Sequence, residues 1–228
     1  MYMPSRRYRS LLQSSCTHSI SSSESAAAAS TIGNVGGSTP EGEAPYQPWA
    51  KALVDKRQAD NSKDNPDAHC LPMGIMQLDS HPYPKKIIQA PNELVMIYEA
   101  SGTTVREIFM DGRPLPKKED VEPWWNGYSV GHWEGDTLVV DTTNFTEKYS
   151  FRGSDRNLHL VEKFTRVDAN TINYEFTIDD PTAFTKPWTA QLPMQAIDGL
   201  VYEYACHEGN HAMRNILSAA RADERAGR

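Results

Sequence analysis

The chain is expected to be all-β, an antiparallel meander closing into a calycin-like barrel or a two-sheet sandwich, with short N- and C-terminal helices. Three observations predict this. From residue 85 onward, runs rich in Thr, Val, Ile, Tyr, Phe and Trp recur, as a half-buried pleated surface prefers. Short turn signals such as Asp111-Gly112 and Glu134-Gly135-Asp136 separate them. No long amphipathic helices alternate with the strands, which disfavours α/β folds.

The elements follow in order. Residues 1–44 read as a disordered or leader-like tail, and 45–228 as a single β-rich domain. The tail holds Ser21-Ser22-Ser23, the alanine run from Ala26 to Ala29 and a Gly/Ser/Pro stretch, too little apolar surface to offset the entropy of ordering. Residues 46–58 read as a short helix, with Pro48 in its first turn and Trp49, Ala50, Leu53 and Val54 on one face. The segments 70–74 and 81–84 are proline-rich and read as extended. Strands are expected over 86–89, 94–99, 104–110, 128–133, 137–142, 158–166, 171–178, 184–192 and 200–206. Asp111-Gly112 reads as a two-residue hairpin. Residues 210–225 read as a C-terminal helix.

Composition narrows the function classes. Net charge is −7, and the basic residues are scattered among acids without a basic stripe, which argues against nucleic-acid binding. No apolar stretch is long enough for a membrane-spanning helix, so no membrane span is expected. Arg6, Arg7 and Arg9 precede Leu11-Leu12, but no uninterrupted apolar region follows as a signal peptide requires. A periplasmic or secreted location is expected if a leader is missing or processed, and a cytoplasmic one otherwise. Of the three cysteines, Cys70 and Cys206 lie at opposite ends of the domain. They read either as buried thiols or as a disulfide, which would contribute roughly 3–5 kcal/mol by closing so long a loop.

The segments PWAKALVD, CLPMGIM, IYEASGTTVREIFMDGRPLP, WWNGYSVGHWEGDTLVVDTTNF, LHLVEKFTR, TINYEFTIDDPTAFTKPWT and YEYACHEGN resemble a family of mostly uncharacterised, often exported bacterial proteins. GHWEGDTLVVDT is the most specific of them. The resemblance spans essentially the whole expected domain, implies export, and leaves the chemistry to the residues.

Several residues are candidates for chemistry. Trp124, Trp125, Tyr128 and Trp133 offer stacking surfaces for a flat apolar ligand, or ordinary packing. Arg106 and Arg113 flank Asp111-Gly112, and either can grip an anion bidentately or pair with a local carboxylate. His132 alternates with Trp133, so one of them is expected to point inward. It is either a satisfied histidine or a proton-transfer group working with Glu162 or Asp141. Glu162 shares its strand face with Leu160 and Phe164, and an inward carboxylate needs a partner such as an arginine, or a raised pKa. His207-Glu208-Gly209-Asn210-His211 spells the HExxH zinc motif, with Glu208 as general base. Its position after a β-like run and the glycine within it fit a helical zinc motif poorly. His159 or His132 is then the candidate further ligand. The leading expectation is a barrel that binds a small organic ligand in an aromatic-lined pocket. A hydrolase or lyase using histidine/carboxylate acid–base chemistry or histidine-bound zinc is the alternative, and a protein interaction module is the third reading.

Overall fold

The computed structural model describes residues 14–15, 44–69, 71–81, 83–100, 104–148, 151–204 and 211–227. Cys16, Cys70, Cys206, His207 and Glu208 lie outside the described residues, and the expectations placed on them lie there too.

The elements are β1 (Ser14–Ser15), α1 (Pro48–Ala59), a 3₁₀ turn (Pro66–His69), α2 (Ile75–Ser80), β2 (Lys85–Gln89), β3 (Glu93–Tyr98), β4 (Val105–Phe109), β5 (Tyr128–Glu134), β6 (Thr137–Thr143), β7 (His159–Arg166), β8 (Thr171–Asp179), β9 (Trp188–Ala196) and α3 (Ala212–Arg225). Strands β2 to β9 form one continuous, curved sheet in sequence order. The two-residue β1 bridges β2 and β9, pairing Ser14 with Lys85 and with Ala196, and so closes the ring. One closed sheet makes the fold a barrel rather than a two-sheet sandwich.

Alternation along each strand sets the faces. In β8, Ile172, Tyr174, Phe176 and Ile178 are buried while the residues between them are half-exposed. Beside them on the same face are Leu160, Glu162 and Phe164 of the neighbouring β7, and Leu94, Met96 and Tyr98 of β3 belong to the same core. The aromatic part of the core is a chain of ring contacts. Phe164 stacks on Tyr174 at 4.8 Å between centroids, and Phe176 and Phe184 meet Trp188 edge-on at 5.9 and 5.5 Å.

The sheet departs from a pure meander once. β4 pairs antiparallel with β3 but parallel with β5, through Ile108 opposite Ser129 and Phe109 opposite Val130. Asp111-Gly112 is therefore a turn and does not form the expected hairpin. Asp111 accepts the Arg113 backbone N–H at 3.2 Å, Gly112 takes φ 82°, and Pro114 and Pro116 then bar a return strand. A parallel neighbour needs a long crossover. Residues 110–127 supply it, and they run over the outside of the barrel.

Helices correct the sequence expectation in one place. Residues 75–80, next to the proline-rich segments, form α2, whose Ile75, Met76, Gln77, Leu78 and Asp79 are all buried. A helix covered on all sides carries no amphipathic period, so a six-residue run gives no pattern to read. α1 begins with Pro48 at its first turn, as the sequence predicts. Its approach is tied to the 180–185 loop: Gln47 N–H donates to Ala183 O and Thr185 N–H to Pro45 O, both at 2.8 Å. β9 starts at Trp188, later than expected, because 180–184 is a turn organised by Asp180. The Asp180 carboxylate accepts from Ser154 Oγ at 2.7 Å and from the Thr182 N–H at 2.9 Å. Residues 201–204 are not strand.

Candidate functional site

The barrel interior holds charge. Arg106 of β4 and Glu162 of β7 are fully buried, Asp79 of α2 and Lys85 of β2 nearly so. Arg106 donates from Nη1 to Glu162 Oε1 at 3.1 Å and from Nη2 to Oε2. Its Nε reaches Ser129 Oγ at 3.2 Å and its Nη2 reaches Thr142 Oγ1 at 2.9 Å. Tyr174 donates to Glu162 Oε1 at 2.9 Å. Lys85 Nζ donates to Asp79 Oδ1, and Tyr98 donates to Asp79 Oδ2 at 3.2 Å. Arg106 Nη1 also lies 3.8 Å from Asp79 Oδ2.

Two cations and two carboxylates thus cancel inside the barrel, and each side chain meets a hydrogen-bond partner. Burial alone pulls the Arg106 guanidinium down, but Glu162, Tyr98 and Asp79 outweigh it and hold its pKa above the ordinary arginine value. Burial, then the nearby carboxylates, push Tyr98 and Tyr174 well above the ordinary phenol range, so both stay neutral donors. The network pins α2 against three strands and occupies part of the barrel interior. Its members reached by sequence reasoning are Arg106 and Glu162, an arginine and an inward carboxylate that needed one. Asp79 and Lys85 gave no signal, because α2 is not visible as a helix.

The other candidates lie outside. His132 is exposed and meets Glu134 at 3.2 Å, away from the buried Glu162. Trp133 is exposed as well, although by alternation it shares the inward face of β5 with Ser129 and Gly131 and sits opposite the buried Leu138. Asp141 lies on the outer face of β6, next to His159 Nε2 at 3.1 Å. Arg113 lies over the Phe109 ring at 4.0 Å and is held by Asp111 at 2.6 Å. Tyr128 lies on the same outer surface, in ring contact with Phe109 and Trp124 at 5.1 and 5.8 Å. Trp124 is exposed. His211 is an exposed residue at the start of α3. Among the described residues, no three His, Cys, Asp or Glu side chains gather as a metal site would require. No helix among them is long and apolar enough to cross a membrane.

Two adjoining depressions lie under the 110–127 crossover, and they share Phe145 and Thr146. The outer is a groove of about 280 Å³, walled by Val121, Pro123 and Phe145 and edged by Lys118, Lys148 and Arg156. The inner is only about 20 Å³ and meets Trp125, Phe151 and Leu158. The far wall is hung on the crossover. Trp124 N–H donates to Asn144 O at 3.0 Å, and Thr146 N–H donates back to Trp124 O at 2.9 Å. Gly127 makes this approach possible. A Cβ there would lie 2.7 Å from Thr142 Cγ2 and from Thr143 O, and 2.9 Å from Phe145. At φ 67° the position also disfavours any L side chain.

Asn144 marks where β6 ends and the wall begins. Its φ is 59°, a left-handed conformation that asparagine tolerates better than most residues, and it turns the chain off the sheet. It lines the groove and is 4% exposed, and neither Oδ1 nor Nδ2 meets a hydrogen-bond partner. No family model, curated protein or solved structure matches the chain. Of the aromatic residues singled out in the sequence, Trp125 lines the inner depression and Trp124 anchors the wall through its backbone, whereas Tyr128 and Trp133 do neither.

Proposed function

We propose that the protein binds a small organic molecule in the groove between the 110–127 crossover and the 144–148 wall. One observation carries this reading: a concavity of about 280 Å³ whose exposed lining surface is mostly apolar, with Lys118, Thr146, Glu147, Lys148 and Arg156 supplying polar groups around it. Apolar surface with placed polar groups is the usual make-up of a small-molecule site. Val121, Pro123 and Phe145 would contact the body of the ligand. Phe145 packs into the buried core, which holds the wall in place before a ligand arrives and lowers the ordering cost of binding. The compartment we propose with it is the cell envelope, on the resemblance of the GHWEGDTLVVDT segment and its companions to often exported bacterial proteins.

The test is a titration of N-phenyl-1-naphthylamine, a neutral aromatic probe, into isotope-labelled full-length protein followed by amide NMR. Saturable perturbations over 118–123 and 144–148 are expected, and they should vanish in Val121→Asp. Perturbations confined to other surfaces, or none, would sink the groove as the site.

A further inference from the structure

We infer that the outer face of strands β2, β3 and β4 is an interaction surface, and that its occupant is the same face of a second copy of this chain. Two independent observations support this, one of exposure and one of charge.

Where one face of an antiparallel sheet meets water, its residues are normally polar. The outer face of β7, β8 and β9 obeys this and pairs its own groups. Glu175 meets Lys163 at 3.8 Å and Gln191 at 2.6 Å, and Thr177 meets Thr189 at 2.8 Å. On β2, β3 and β4 the inward positions carry the core, and Ile88, Val95, Ile97, Val105 and Phe109 point outward. Ile88 is 39% exposed and Val105 52%. The pairing register makes one patch of them. Lys86, Ile97 and Val105 lie side by side across the three strands, and Ile88, Val95 and Glu107 form the next row. Strand propensity alone does not require apolar groups there. Threonine is β-branched too, and Thr177 and Thr189 fill such outward positions elsewhere on this barrel. A contiguous apolar patch bordered by charge marks an association surface.

The charges indicate what covers it. Lys86 and Glu107 stand at opposite corners of the two rows, with apolar residues at the remaining positions. Glu93 adds a second carboxylate on β3, beside Phe109 and beyond the row of Glu107. None of these three side chains pairs with another group among the described residues. The patch therefore has a positive corner and a negative corner across an apolar centre. A twofold axis in the plane of the face, perpendicular to the line from Lys86 to Glu107, reverses that line. It sets Lys86 of each copy against Glu107 of the other and brings the two apolar centres together. This is the isologous contact of a homodimer. A patch of a single sign would repel its own copy instead.

Sedimentation velocity of the full-length protein over about 1–300 µM tests this, because a three-strand face is small and a Kd on the order of 10 µM is expected. Val105→Asp should weaken the dimer at least about tenfold. Its position is exposed, so the urea midpoint should hold. Lys86→Glu and Glu107→Lys should each weaken association about tenfold, and the two together should return it to within about threefold of native. This exchange adds no buried group, so it decides the matter even if Val105→Asp disturbs the fold. A monomer throughout the range overturns the inference. A dimer that Val105→Asp leaves intact overturns it too; loss of that dimer in Ile216→Asp, at a 63% exposed position of α3, would place the contact on the C-terminal helix. So does a charge exchange that fails to recover what the single substitutions lose.

Discussion

Replacing Arg106 or Glu162 tests whether the charges inside the barrel behave as one unit. In Arg106→Met, Glu162 keeps only its Tyr174 bond at 2.9 Å, and Asp79 keeps Lys85 and Tyr98. A fully buried carboxylate is then left without its cation, which costs about 3–5 kcal/mol. Glu162→Gln preserves the shape and removes the charge, leaving Arg106 and Lys85 against Asp79 alone, and it falls in the same range. A domain of this size has about 5–15 kcal/mol in total, so either variant consumes a large share. In urea, with a slope of about 2 kcal/mol per molar, the midpoint should drop by about 1.5–2.5 M. The five tryptophans provide the fluorescence readout. The decisive variant is the double one, Arg106→Met with Glu162→Leu. It removes both charges and leaves Asp79 paired with Lys85, and Ser129 and Thr142 bonded to each other at 3.0 Å. Only the Tyr174 hydroxyl is orphaned, at about 1–3 kcal/mol. The double variant should therefore be more stable than either single one. Strict additivity of the two losses, or single losses below about 1 kcal/mol, would refute a coupled interior network.

Further outcomes follow from the same geometry. Gly127→Ala should lower stability by about 2–4 kcal/mol and weaken binding of N-phenyl-1-naphthylamine, because the new Cβ collides with Thr142, Thr143 and Phe145 at under 3 Å; a thermal scan and the probe titration check it. Asp155→Asn should raise the thermal midpoint at pH 7 by about 1–2 °C, since the group is half-buried and solvent screens much of its shift. The sign follows from its raised carboxyl: the fold holds the proton more tightly than the unfolded chain, so stability falls as pH rises from the ordinary aspartate range through the folded value. The gain should then disappear below about pH 4, and a gain unchanged at low pH would contradict the assignment. Arg113→Ala should leave the urea midpoint unchanged, in contrast to Arg106, because its ion pair with Asp111 lies in solvent. Asn144→Gly should stabilise the protein by about 1 kcal/mol, the relief of an unpaired amide and a left-handed backbone set against lost packing; a loss larger than that would mean the amide is already satisfied.

The strands were legible because alternation writes itself into the sequence. Tyr174 and Phe176 inward, Glu175 outward, is the pattern of β8, and Glu175 does meet Gln191 at 2.6 Å on the outer face. The same rule brought out Glu162 as an inward carboxylate, and Arg106 was legible as its type of partner. What alternation does not encode is which strand lies beside which. Asp111-Gly112 carries the dipeptide of a hairpin, and only the prolines after it record that the chain crosses over instead. That one parallel pairing is what places Lys118, Val121 and Pro123 across from Phe145. A true hairpin would have left the 144–148 wall bare, with no groove to line. α2 was invisible for the opposite reason, since complete burial erases the polar face that reveals a helix.

His132 and Trp133 show the limit from the other side. Alternation requires that they point to opposite faces, but it does not say how far neighbouring elements cover either one. β5 and β6 join through Gly135 and Asp136, with Gly135 at φ 61° in the first loop position. The β6 partners Val139 and Leu138 are buried there, yet His132 and Trp133 at the end of β5 are both exposed. Asn144, where the wall leaves the sheet, had no sequence signal beyond following a β-run of Thr and Asp. An asparagine in that position is a common strand terminator. Its meaning comes from being buried without a partner, and that condition exists only once the crossover has closed over it. The same topological step that defeats a local reading of the chain therefore creates the groove.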